Sequence, residues 1–307
     1  MRKHLIYLFL SLFLFSACGS SNESSQDDTQ DNVTNQLPTE NIQLEEHEVE
    51  ISHEMMFEII ESIPAPIETA TMIKDIGAPY YEELINSTSN AINYSTNFKK
   101  AVNLGIYGAN LGYINIYNEV GSAVSYLSTI SELANDLRVG QFFDFHTLKR
   151  LASNRDNLDS LLYISTKGFD KMNNYLKVQN RGNISVYMLV GGWLEALYLS
   201  TQIAESNESD VLTERIGEQK ITIDNIRLLL TVYKRDPFVR DLLGDIEELK
   251  AIYDEVEITT TYKEPTMIEE DGALMIEDNT VTEINITKEQ IAKIRKKASE
   301  IRAELIS

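Results

Sequence analysis

The chain has 307 residues, 48 of them acidic and 27 basic, for a formal net charge of −21. A surface of that sign repels phosphate backbones and anionic headgroups, which argues against nucleic acid as a partner. A hydrophobic content of 43% is enough for a large core, while only 6 Pro and 14 Gly argue against a turn-rich all-β protein.

The chain opens with Arg2, Lys3 and His4, continues with an apolar run from Leu5 to Phe15, and reaches Ser16, Ala17 and Cys18. A charged start, a short apolar stretch and small residues are the layout of a secretory signal peptide, expected here over residues 1–17. The run is shorter than the ~20 residues a membrane-spanning helix needs. Cys18 is the only cysteine. Polar residues follow at once, and 18–41 is expected to be a disordered acidic and polar tether with too little apolar surface to fold. Ser16-Ala17-Cys18 resembles a bacterial lipobox, with Phe15 where Leu is usual. The resemblance implies cleavage before Cys18 and a thioether from its sulfur to diacylglycerol. No thiol would then remain for a disulfide, for catalysis or for a metal. Two or three acyl chains, at ~0.8 kcal/mol per buried CH₂, anchor a protein stably. Gly19 and Ser20 stand where an inner-membrane retention signal would place Asp, which favours the outer membrane. Glu23, Asp27 and Asp28 resemble acidic surface-export signals from a greater distance, so the periplasmic and surface faces both stay open.

Residues 42–257 read as one helical domain. Met55, Met56, Ile59, Ile60 and Ile63 form an apolar face that closes at Pro64. Prolines bracket a short apolar piece between Pro64 and Pro79, and Tyr80 to Ile92 reads as a further helix. From Asn97 to Leu137 apolar residues step by three and four throughout, which predicts one long helix. Gly105, Gly108 and Gly112 fall along one side of it. Each Gly costs up to ~1 kcal/mol against Ala in a helix, so three together imply close approach of another backbone, with Gly191-Gly192 the candidate. The alternative is a break near Gly108. Phe142, Phe145 and Leu148 make a short amphipathic piece, and Ser153 with Asp156 can cap the helix that carries Leu158, Phe169, Met172 and Tyr175.

After the turn at Arg181-Gly182-Asn183, the stretch Ile184 to Glu205 is apolar nearly all round, which places it at the centre. Asp210 opens the next helix, and Asp236-Pro237 is a stop and restart. Residues 258–287 look extended, as a linker or loose hairpin around Asp271-Gly272. Thr287 and Gln290 match a capping box for a last amphipathic helix over 288–307, basic on one face, within a poorly packed tail. "YLST" at Tyr126 and again at Tyr198 hints at duplicated hairpins. The expected fold class is all-α: an antiparallel helical bundle or helical-hairpin array with a short extended segment and a C-terminal helix.

Little in the chain spells out chemistry. Beyond His4 the histidines are His47, His53 and His146. Glu50 and His53 have the Glu-x-x-His spacing of a di-iron bundle, which needs a second pair that is absent from the sequence. His47 and Glu50 echo the His-x-x-Glu of imelysin-like lipoproteins, but Glu45 stands where Gly is expected. There is no Gly-x-Ser-x-Gly elbow and no phosphate-binding glycine loop. No catalytic residue, metal or cofactor is assigned. Glu195 lies in the most apolar helix, two residues after Trp193, the only Trp. A buried carboxylate needs a partner. Glu195 is a structural pair with Arg or Tyr, an exposed group on the helix's one wet edge, or the polar anchor of a ligand pocket lined by Trp193, Tyr113, Tyr117 and Asn110. Tyrosines at helical spacing are more often core with the hydroxyl at its rim.

"GAPYYEELIN", "NLGIYGANLGYINIY", "YLSTISELANDL" and "VGGWLEALYLSTQIA" together resemble a family of uncharacterised helical lipoproteins of Bacteroidota, over about residues 60–257. The resemblance implies a compartment and a helical fold and carries over no catalytic residue. The expected function is a lipid-anchored cell-envelope component, membrane-bound through its acyl chains, that binds another envelope protein or a small polar ligand. The alternative is a carboxylate- or metal-dependent enzyme housed in the bundle.

Overall fold

The computed structural model describes residues 51–152, 158–270, 273–277, 279 and 281–307. Near the start, Ser52 caps α1 (His53–Ser62) by accepting from the Met55 N–H. Pro66 then occupies the first turn of α2 (Pro66–Asp75), where its missing N–H costs nothing. The next expected helix, Tyr80 to Ile92, does not form. Two 3₁₀ turns, Glu82–Leu84 and Thr88–Asn93, stand in its place. Hydroxyls from elsewhere take the carbonyls that a helix would use: Tyr126 donates to Asn86 O at 2.6 Å and Tyr107 to Ser87 O at 2.8 Å. The backbone is satisfied by tertiary partners together with a few i→i+3 bonds, such as Asn90 N–H to Ser87 O, instead of by a continuous helical ladder.

The long helix expected over 97–137 is two helices, α3 (Asn97–Ile116) and α4 (Val120–Asp136). The break falls at Tyr117–Glu119 and not near Gly108. Asn118 takes a left-handed conformation, φ 61°, which Asn tolerates better than most side chains. The Glu119 N–H reaches back to Ile114 O and closes the helix end. Both halves keep the three-and-four stepping because they pack on the same core, which hides the reversal from the pattern.

α5 (Phe145–Ala152) and α6 (Leu158–Val178) follow. The Ser153 and Asp156 cap lies outside the described residues. α7 (Gly182–Ser206) is the central helix: apolar and long enough to cross a membrane, yet 83% of its most apolar window is buried inside the bundle. It crosses α3 at backbone contact. A Cβ on Gly105 would lie 1.9 Å from Met188 O, and one on Gly191 would lie 2.0 Å from Val102 O. Gly105 and Gly191 therefore set the approach. Gly112 faces Ile67 of α2. Gly108, expected at the contact, is exposed instead, and a Cβ added there would meet nothing within 4 Å. A 100° step per residue carries Gly108 past the crossing point onto the wet side.

The hairpin of α8 (Asp210–Thr231) and α9 (Pro237–Asp254) packs on α7, with Asp236 capping α9 ahead of Pro237. The extended segment forms two nested antiparallel pairs. β1 (Glu257–Thr261) pairs with β4 (Val281–Asn285), and β2 (Thr266–Glu270) with β3 (Ala273–Glu277). Ile284 of β4 seats the ribbon on α8 at Gly217, where a Cβ would come within 2.4 Å of its methyl. α10 (Lys288–Ile306) starts at the Thr287–Gln290 capping box. The ribbon is mostly exposed where its side chains are described, as a poorly packed tail would be, but α10 is well packed, contrary to expectation. Ile294, Ala298, Ile301 and Leu305 are buried against α7, α9 and α3. Its basic face meets acids: Lys297 bridges Asp245 and Glu248, Lys293 reaches Glu255, and Arg295 pairs with Glu205. The chain is thus an all-α helical bundle built from helical hairpins, closed by its last helix.

Candidate functional site

Glu195 is fully buried in the middle of α7. Arg302 of α10 forks onto it, with Nε 2.6 Å from one carboxylate oxygen and Nη2 2.9 Å from the other. Asn110 of α3 donates to the same carboxylate at 2.5 Å. Arg302 Nη2 also donates to Leu84 O at 2.9 Å, and the guanidinium lies 4.1 Å from the Tyr198 ring centre. Burial lowers the pKa of Arg302, but the charge and hydrogen bonds of Glu195 outweigh it, so the net shift is upward. The network runs on: the Asn86 N–H donates to the Asn110 side-chain carbonyl, and the Asn86 amide to the Tyr94 hydroxyl. Both oxygens of the carboxylate are taken by donors, and Glu195 lines none of the three cavities described below. This arrangement pins α3, α7, α10 and the 80–94 segment together. Its chemistry is structural.

The other candidates do not share a pocket with Glu195. Trp193 is two residues away, about 200° around the helix, and its indole donates to Gln219 of α8 at 3.0 Å. The crevice beside it measures about 10 Å³, scarcely one water. Tyr113 accepts from the Tyr81 N–H at 3.0 Å and Tyr117 donates to Ala78 O at 2.7 Å, so both pin the 78–81 turn. Tyr80 stacks on Tyr113 at 5.3 Å. Of the five, Glu195 touches Asn110, and Tyr113 meets Tyr117 edge to face at 5.0 Å. Cys18, His47 and Glu50 lie outside the described residues, and no group of three or more His, Cys, Asp or Glu gathers among the described ones.

Open volume lies elsewhere. A cavity of about 390 Å³ sits where the ends of α6 and α8 meet the start of α7, roofed by α1. That is within the ~300–1,000 Å³ typical of small-molecule sites. α1 contributes Met56, Phe57 and Ile60; the opposite side contributes Asn173, Lys177, Asn180, Lys234 and Arg235. Asn180, at φ 54°, makes the sharp reversal between α6 and α7, with the Arg181 N–H returning to Leu176 O. Tyr233 stands between the two sides, its hydroxyl 3.9 Å from the Met56 sulfur and its pKa raised by burial. Gly182 leaves room for it, since a Cβ there would lie 2.9 Å from that hydroxyl. A broader depression beside Glu68, Asp75 and Val211, about 540 Å³, is largely open to solvent. Sequence reasoning missed the cavity; its only trace was the Asn173-Asn174 and Lys234-Arg235 pairs at two helix ends.

Fold and cavity together define a helical-bundle protein with one sheltered, two-sided hollow among the described residues. Comparison of the chain with protein-family models, curated proteins and solved structures gives no match.

Proposed function

We propose that the chain is a lipid-anchored cell-envelope protein whose helical body binds a small ligand without converting it. The anchor reading is supported by Ser16-Ala17-Cys18 and the polar stretch behind it, and Gly19-Ser20 favours the outer membrane. The binding reading is carried by the cavity under α1, which a bundle packed only for stability would fill with side chains. The conspicuous buried carboxylate, Glu195, is consumed by its three donors, and this favours binding over carboxylate catalysis. The test is native mass spectrometry of the protein released gently from its own envelope. The wild-type chain should carry a small molecule, and Met56→Trp, which fills the cavity, should not. If both carry nothing, or if both carry the same mass, the binding reading is wrong.

A further inference from the structure

We infer that the body rests against its own membrane through the outer face of α6, drawn there by anionic phospholipid headgroups. The inference rests on the lipid anchor proposed above and adds an orientation to it. Its first support is charge. Residues 145–181 hold seven of the 27 bases and three of the 48 acids, a net charge of +4 against −25 for the rest of the chain. The chain as a whole repels an anionic surface, but this segment carries the opposite sign. Lys149 and Arg181 have partners within the fold, and Lys177 suits the end of α6. Lys167 and Lys171 stand exposed in mid-helix, and neither pairs with an acid among the described residues.

The second support is the make-up of the face. At ~100° per residue, Tyr163, Lys167, Lys171, Asn174 and Val178 fall within an arc of about 80°, and all five are exposed. Gly168, Met172 and Leu176 are buried on the opposite side. Tyr163 is 65% and Val178 79% exposed, and the Lys167 ammonium lies 5.8 Å from the Tyr163 ring centre. Lysines beside an aromatic ring and an apolar side chain suit a headgroup layer, where ammonium meets phosphate and the ring rests at the acyl boundary. Asp170, half-buried on the flank of this stripe, offsets one lysine at most. The third support is where the proposed tether joins the body. Ile51 lines the same cavity as Asn173, Asn174 and Lys177 of α6. Cys18 precedes it by 33 residues, so the pull of the acyl chains enters the body beside this helix. A polar tether of that length, as expected from the sequence, spans roughly 30 Å. It keeps the body near the headgroups, where weak contacts act together. Each lysine at an anionic surface then adds about fivefold to the docked population.

The test uses the full-length lipidated protein in phosphatidylcholine vesicles, with or without phosphatidylglycerol. A fluorophore is attached at Val178→Cys on α6 or at Gly244→Cys on α9, where there is open space around the backbone. Quenching by spin-labelled headgroups is then measured at each site. Phosphatidylglycerol should raise quenching at Val178→Cys at least about threefold and leave Gly244→Cys nearly unchanged. High salt should abolish the difference. Lys167→Gln/Lys171→Gln should abolish it too, with the helical signal intact, because both side chains are exposed. Quenching that survives in this double variant would overturn the electrostatic attraction. Equal quenching at the two labelled sites, or indifference of Val178→Cys to phosphatidylglycerol, would overturn the inference while the anchor stood, and would leave the stripe to an acidic protein. A protein that fails to float with neutral vesicles would remove the anchor and this inference together.

Discussion

Glu195→Gln changes one atom and removes one charge from a pair sealed inside the bundle. All three of its contacts are donated to the carboxylate, by Arg302 Nε, Arg302 Nη2 and Asn110 Nδ2. The new amide NH₂ must therefore face a donor whichever way it turns, and the guanidinium keeps its charge with no counterion. Breaking a buried pair from one side costs about 3–5 kcal/mol. For a domain of this size that lowers the melting temperature by ~2–4 °C per kcal/mol, roughly 6–20 °C in all. Arg302→Met should cost a similar amount, since it leaves the carboxylate alone. The double variant Glu195→Gln/Arg302→Met buries no charge and keeps the Asn110 contact, but orphans Leu84 O and the new amide NH₂, for about 1–3 kcal/mol each. The two single costs should thus sum to more than the double. Urea unfolding followed by helical circular dichroism near neutral pH measures all four species. A Glu195→Gln cost below about 1 kcal/mol, or costs that simply add, would refute the keystone reading.

Gly105→Ala and Gly191→Ala should each destabilise by about 1–3 kcal/mol or more through overpacking, because their Cβ atoms would fall 1.9 Å and 2.0 Å from carbonyl oxygens. Gly108→Ala should instead stabilise by about 0.5–1 kcal/mol, having open space around it; melting curves of the three check the helix crossing. Cys18→Ser should abolish acyl labelling and leave the chain unprocessed or unanchored, and normal maturation of the variant would contradict the anchor. Burial, aided by Glu82 and Glu119, pushes the Tyr80 hydroxyl up from 10.0 to about 12, and burial also raises Tyr107, Tyr126 and Tyr187. The unfolded chain therefore loses protons first, so stability is full below the ordinary tyrosine value and falls as pH climbs towards the folded one. Tyr81, whose pKa is lowered by hydrogen bonds with Ser206 and Asn207, should ionise early, and the tyrosinate absorbance of the buried four should appear together with loss of helical signal, not ahead of it.

Helix positions were legible where one face is apolar at a regular step, as in α9 and α10 with its Thr287–Gln290 box, or where a long run is apolar all round, as in α7. The errors came where distant groups decide the backbone. The 80–94 segment has helix-compatible residues, but Tyr107, Tyr126 and Asn110 from later helices claim its polar groups. The need of Glu195 for a partner could be read from its apolar helix. That the partner is Arg302 could not, because 107 residues separate them. The cavity was illegible for a related reason: three helix ends and α1 make it, and no single stretch carries its pattern.

The order in which the chain is made gives the last helix a further meaning. Arg302 reaches Glu195 across 107 residues and Leu84 across 218, and Lys99 holds Ser307 O across 208. A polypeptide made N-terminus first presents α3 and α7 well before α10 arrives. Until then the Glu195 carboxylate has Asn110 and no counterion, and an uncompensated charge opposes sealing of the α3–α7 core. The long loops that must close add delay of their own. The core charge is thus neutralised only by a helix made after the rest of the bundle, and closing of the α3–α7 core waits on it.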